Sequence, residues 1–293
     1  MKNSLLLLFI LHSFWSCQSQ KKKSVSSSLF QEGISTGVVS KKLEEASGIT
    51  ASIANPGMLW VHNDSGNNAE VYLIDSAGRI QMTCTLAGIR NRDWEDIAIG
   101  NGPGADSSKN YIYVADIGDN LAQYPIKMIY RFEEPVFDAP EKVITQIETK
   151  YVVLDDGQRD TEALMIDPIH HAMYLLSKRE DSVHFYKIDY PFLKDTLVAR
   201  FRTKLNFQMI TAAEISPDGN EVVIKDYENI YYWKRKDHGP ISKLLQTPPV
   251  LLSYKREPQG EAICFSLNGQ GLYTLSESTD GKKAEVIYYQ RNK

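Results

Sequence analysis

Apolar residues recur along this chain in short runs separated by turn-forming residues, and no long stretch keeps a helical spacing. The runs are rich in β-branched and aromatic residues, as in Tyr111-Ile112-Tyr113-Val114 and Ile230-Tyr231-Tyr232-Trp233. Such runs predict strands, bounded by turn signals such as Pro217-Asp218-Gly219 and Asn268-Gly269.

A longer period lies over the short one. Five times the chain shows a small or acidic residue, an apolar strand, a turn, a second apolar strand, an oxygen-rich loop and an aromatic strand. The copies start at Ser47, Glu95, Glu162, Thr211 and Glu261, at intervals of 48, 67, 49 and 50 residues. A fourth strand precedes each new copy, at Ile80 to Leu86, Lys150 to Leu154, Leu197 to Thr203 and Val250 to Tyr254. The fifth copy lacks one. Gly33 to Lys42 near the N-terminus can supply it, which joins the ends and removes an open sheet edge.

A repeat of about 50 residues built from four strands predicts an all-β propeller of five four-stranded blades, the last closed by the N-terminal strand. The 67-residue interval holds extra loop around Gly100 to Asn110 and Glu133 to Ile147. Six blades, one of them degenerate, is the alternative count.

The propeller is expected over residues 33–293. Before it, Lys2 and the apolar run Leu5 to Trp15 have the layout of a signal peptide over residues 1–16, too short for a comfortable membrane span. Cys17 follows Ser16 as in a lipoprotein cleavage site, so its thiol is the expected lipid anchor; an ordinary cleaved signal is the alternative. Residues 17–32, Lys/Ser-rich at their start, read as a flexible tether. The protein is thus expected in a bacterial cell envelope, outside the cytoplasm and bound to membrane through lipid. Cys84 and Cys264 sit inside strand runs and are expected to be free thiols.

Composition narrows the partners. The net charge is −4 with no basic excess, which argues against nucleic acid, and a monomer is expected. Oxygen ligands are the available chemistry. If the first strands line a central channel, their opening residues meet, and Glu95, Glu162 and Glu261 form a carboxylate ring with Ser47 and Thr211. Crowded carboxylates repel one another, and a hard cation such as Ca²⁺ relieves that. The alternative is pairing with basic neighbours, for which Arg92 and Arg159 stand close in sequence.

Antiparallel return brings the loops after the second strands to the same rim. They supply His62, Asn63 and Asp64; Asp116 and Asp119; Lys178 and Arg179; Asp226; and Glu277 as ligand-binding candidates. The same loops are ordinary tight-turn sequences. His62 is the one histidine expected near this face. Asp93 and Asp160 read as structural acceptors in the turns that lead into the first strands. Catalytic residues are not assigned.

The segments Leu59-Trp60-Val61-His62-Asn63-Asp64-Ser65-Gly66, Asp93-Trp94-Glu95-Asp96-Ile97-Ala98 and Tyr113-Val114-Ala115-Asp116-Ile117-Gly118-Asp119-Asn120 resemble secreted bacterial propellers of unassigned activity. These are similar in turn to the SdiA-regulated, phytase-like and SMP30-like propellers. The wider resemblance implies calcium-dependent hydrolysis of esters, lactones or phosphoesters, or ligand binding, and carries no residue-by-residue mechanism. Three functions therefore stand open: a module binding a small polar ligand with Ca²⁺, a calcium-dependent hydrolase, and a metal-free protein-interaction propeller.

Overall fold

A computed structural model describes residues 29–102, 109–279 and 281–293. The signal segment, Cys17 and residues 18–28 of the tether lie outside the described residues. The class is all-β, and the described residues add one short α-helix, α1 (Ile241–Leu244), and a 3-10 turn at Lys41–Leu43.

Each sequence repeat folds as an antiparallel meander, its inner strands buried on both faces and its outer strand alternating buried and exposed positions. The first repeat forms β2 (Ala46–Ala51), β3 (Met58–Asn63), β4 (Glu70–Asp75) and β5 (Ile80–Leu86). The second forms β6 (Trp94–Asn101), β7 (Asn110–Asp116), β8 (Lys127–Glu133) and β10 (Glu148–Leu154). The third forms β11 (Thr161–Asp167), β12 (Ala172–Ser177), β13 (Val183–Ile188) and β14 (Thr196–Leu205). The fourth forms β15 (Ile210–Ile215), β16 (Glu221–Asp226), β17 (Ile230–Lys234) and β18 (Val250–Leu251). The fifth forms β19 (Gln259–Phe265), β20 (Gly271–Glu277) and β21 (Glu285–Gln290). Its fourth strand is β1 (Ile34–Val38), which pairs antiparallel with β21.

The extra residues of the long second interval make no separate unit. They contain β9 (Glu141–Ile144), which adds to the first sheet by pairing parallel to β5. A second parallel pairing joins β10 to β14, Tyr151 to Leu154 against Thr196 to Ala199, so the second and third meanders form one eight-stranded sheet.

The five first strands touch in a closed cycle, β2 to β6 to β11 to β15 to β19 and back to β2. Apolar clusters fill the wedges between neighbouring units. One holds Trp60, Trp94 and Phe132; another holds Met165, Phe185 and Trp233. Buried polar groups tie the wedges as well. Glu134 accepts from Ser52 Oγ, the Ile53 and Ala54 amides and Trp60 Nε1, at 2.6 to 3.0 Å. Arg235 grips Asp167 with two bonds of 3.0 and 2.9 Å, and both side chains are buried. Cys84 and Cys264 are free and buried.

Every first strand carries a bulge at the same place. The pairing register shifts between Ala46 and Gly48, Trp94 and Asp96, Thr161 and Ala163, Ile210 and Ala212, and Gly260 and Ala262. The residues stepped over are Ser47, Glu95, Glu162, Thr211 and Glu261. A bulged residue leaves the ladder and its side chain is re-aimed.

Candidate functional site

The five bulges sit at the start of the first strands, beside the ends of the second strands. At this end the ring gathers carboxyl groups. The side chains of Glu95 and Glu162 are hydrogen-bonded to each other. Two carboxylates need a shared proton to do so. Burial, and for Glu95 the charge of Glu162, push both well above the usual carboxylate range.

Lys178, just after β12, reaches into this cluster. Its Nζ lies 3.0 Å from Glu162 Oε2 and 5.5 Å from the centre of the Tyr227 ring. Burial works to lower the ammonium, but Glu162, Glu261, Tyr227 and Glu95 outweigh it and hold it above its ordinary value. Lys178 on Glu162 leaves the shared proton with Glu95. Glu261 accepts from Tyr227 OH at 2.8 Å.

A second group adjoins the first. Asp64, Asp93 and Glu95 each present an oxygen, and the three oxygens lie within 4.8 Å of one another. Burial, then the charges of Asp93 and Glu261, push Asp64 up to about 6. Burial and the charges of Asp160 and Asp116 raise Asp93. Glu277 is pushed up to about 7 by burial, then by Glu261 and Asp64. The backbone of Gly118 closes over this group. A Cβ there would stand 2.0 Å from Glu95 Oε1 and 2.5 Å from Asp93 Oδ2, so only glycine allows the approach.

Of the sequence candidates, the fold thus unites Asp64, Glu95, Glu162, Lys178, Glu261 and Glu277. The three glutamates expected as one ligand set divide: Glu95 joins the aspartates, while Glu162 and Glu261 face Lys178 and Tyr227. Neither Arg92 nor Arg159, the partners suggested by proximity in sequence, makes an ion pair with these glutamates. Arg92 pairs with Asp116, and Arg159 with Asp156 and Glu180.

The other candidates are spent on structure. His62 is buried edge-on to Trp94, with Nδ1 3.0 Å from the Asn63 carbonyl. Burial pushes it down to about 4, so at neutral pH it is an uncharged packing residue. Asn63 donates to the Lys42 carbonyl. Asp116 accepts from Tyr130 OH. Asp119 accepts from the Gln123 and Tyr124 amides and pairs with buried Lys127 at 3.1 Å. Arg179 pairs with Asp160 at 2.6 Å, which makes Asp160 the structural acceptor expected of it. Asp226 folds its own turn through the Glu228 and Asn229 amides.

One acid reads differently in the fold than in the sequence, and two others had no reading there. Asp93, taken as a turn acceptor, belongs to the oxygen cluster. Asp96 and Glu214 lie one layer further into the ring and stitch neighbouring units together. Asp96 accepts the Leu164 amide at 2.8 Å, and Glu214 accepts from Thr50 Oγ1 at 3.0 Å and from the Phe265 amide. Burial raises Asp96 well above its ordinary range and Glu214 to about 8. An acid set inside an otherwise apolar first strand, as in Asp96-Ile97-Ala98 and Ala213-Glu214-Ile215, was the available signal.

Comparison with protein-family models and with curated proteins gives no match for this chain.

Proposed function

We propose that the chain is a five-bladed β-propeller that binds a divalent cation, Ca²⁺, together with a small polar ligand at the acidic end of its ring. The observation that carries this reading is the Asp64, Asp93 and Glu95 cluster. An ion about 2.3–2.6 Å from each ligand oxygen needs those oxygens no more than roughly 5 Å apart. The spacing of 4.8 Å meets that condition. The charge balance agrees. Asp64, Asp93, Glu95, Glu162, Glu261 and Glu277 surround the inserted ammonium of Lys178, and five of the six carboxyls hold protons more tightly than usual because of burial, with like charges adding to it. Hard oxygen donors without nitrogen or sulfur favour Ca²⁺ over softer ions.

The closed cycle of first strands and the pairing of β1 with β21 support the five-blade architecture. On the sequence of residues 1–28, the domain is exported to the cell envelope and tethered to membrane through lipid on Cys17. No helix among the described residues is long and apolar enough to cross a bilayer.

The experiment is calorimetric titration with Ca²⁺ at neutral pH, beside thermal melts with Ca²⁺ and with EDTA. Saturable binding and a higher melting temperature are expected. Both should vanish in Asp64→Asn/Asp93→Asn. No heat and no change in melting temperature overturn the reading.

One observation favours hydrolysis at the same face as a second reading. The proton-sharing Glu95–Glu162 pair beside Lys178 places an acid next to a charged base partner. Turnover of phosphoesters, lactones or esters that falls at least a hundredfold in Glu95→Gln would establish it.

A further inference from the structure

Beside the carboxyl cluster lies a groove of about 840 Å³, bounded by the loops of the third, fourth and fifth units. Its size suits a ligand of several rings. One wall is aromatic. Phe207 and Tyr231 have ring centres 4.6 Å apart at 47°, and buried Trp233 braces Phe207 edge-on at 5.9 Å. Tyr227 stands at the inner end. The polar tips of both tyrosines are engaged, Tyr231 on Asp226 at 2.7 Å and Tyr227 on Glu261 at 2.8 Å. That fixes the orientation of the rings before any ligand arrives.

Amides line the groove as well. Asn206 and Gln259 are among the lining residues, and their side chains make no hydrogen bond with another described residue. Each offers a carbonyl acceptor and two N–H donors. The charged lining groups are mostly engaged. Arg256 pairs with Glu228 at 3.2 Å, and Asp226 is committed to its turn. Asp181 is the remaining carboxylate at the rim.

These features exclude two ligand classes by their chemistry. A phosphate-bearing ligand finds no cation without a carboxylate partner among the described lining residues. A purely apolar ligand would strip water from the Asn206 and Gln259 amides without replacing their hydrogen bonds, which disfavours it. What matches is a ligand with C–H faces for aromatic rings and hydroxyls that donate and accept in turn. We propose that the groove binds a short neutral oligosaccharide, its ring faces against Phe207, Tyr227 and Tyr231 and its hydroxyls on Asn206, Gln259 and Asp181. The electron-rich ring faces attract the weakly positive C–H hydrogens of a pyranose. This names the ligand class for the face assigned above, and rests on that face being the binding face.

The test uses the purified protein on an array of neutral and acidic glycans, with calorimetry on each glycan retained. Neutral glycans should bind, and Asn206→Ala/Gln259→Ala should weaken them about tenfold or more. Both positions are at least partly exposed, so the variant should melt with the wild type. Tyr231→Leu, which removes the ring face, should also abolish binding. Equal binding by wild type and the amide double variant overturns the inference, as does retention of acidic glycans alone. No glycan binding with Ca²⁺ binding intact overturns it too, and leaves the cation reading standing. Variant-sensitive glycan binding without Ca²⁺ binding does the reverse.

Discussion

Replacing Lys178 by Met keeps the aliphatic stem and removes the ammonium paired with Glu162 within the carboxyl cluster. Its Nζ lies 3.0 Å from Glu162, and both side chains are at least nine-tenths buried. Deleting one member of such a pair leaves an uncompensated charge and costs about 3–5 kcal/mol. The cost must depend on pH, because Glu162 and Glu95 can take up protons instead. Their folded values lie above an unfolded value of about 4.3. For a raised carboxyl, the stability from proton binding is complete below the unfolded value and is lost as pH rises through the folded one. Without Lys178 the folded value of Glu162 climbs further from about 8, so the variant binds up to one more proton than the wild type above that pH. Each such proton is worth about 1.4 kcal/mol per pH unit. Lys178 stays charged across this window and adds no slope. Urea unfolding at pH 6.5, 8 and 9.5, followed by tryptophan fluorescence, should therefore show a loss that grows by about 2 kcal/mol between pH 8 and 9.5 and little below pH 8. A loss that does not grow above pH 8 refutes the clustering of these carboxyls around the ammonium.

Other outcomes follow from the same packing. Gly118→Ala should destabilise the protein by about 1–3 kcal/mol and abolish Ca²⁺ binding, since its Cβ would displace Glu95; unchanged calorimetry would contradict this. Arg235→Met should cost about 3–5 kcal/mol in denaturant titrations, with most of it recovered in Asp167→Leu/Arg235→Met, because the pair is fully buried. The thiols of Cys84, which burial pushes up to about 12, and Cys264, pushed well above its ordinary value, should ignore a thiol reagent until the protein is unfolded.

The strands were legible because their signal is local. All five expected openings fall within the first strands, and Ile80 to Leu86 is β5 as read from the sequence. The alternation of apolar positions sets which face is buried, and the turns set the length. Parallel contacts were not legible: β9 against β5 and β10 against β14 join segments whose pairing leaves no short-range trace. Val250 to Tyr254 was read as a full strand, but only Val250–Leu251 pair, because Leu252 to Pro258 run inward toward β19. At the site, sequence spacing placed the glutamates at one end of the ring but assigned their partners by proximity along the chain. Arg92 and Arg159 turn away to Asp116 and to Asp156 and Glu180, while Lys178 arrives from a second strand. Lys178 and Glu162 face each other across one hairpin, β11 with β12, and no periodicity records which carboxylate a long side chain meets. His62 drew attention as an imidazole in a polar loop, yet its ring belongs to the wedge beside Trp94.

The bulge repeated in all five first strands has a consequence for how this surface can change over evolutionary time. Ser47, Glu95, Glu162, Thr211 and Glu261 stand outside the ladder, so exchanging one for another acid, alcohol or amide disturbs no pairing between strands. The strand pairing of the five units thus does not depend on which polar side chain each bulge presents.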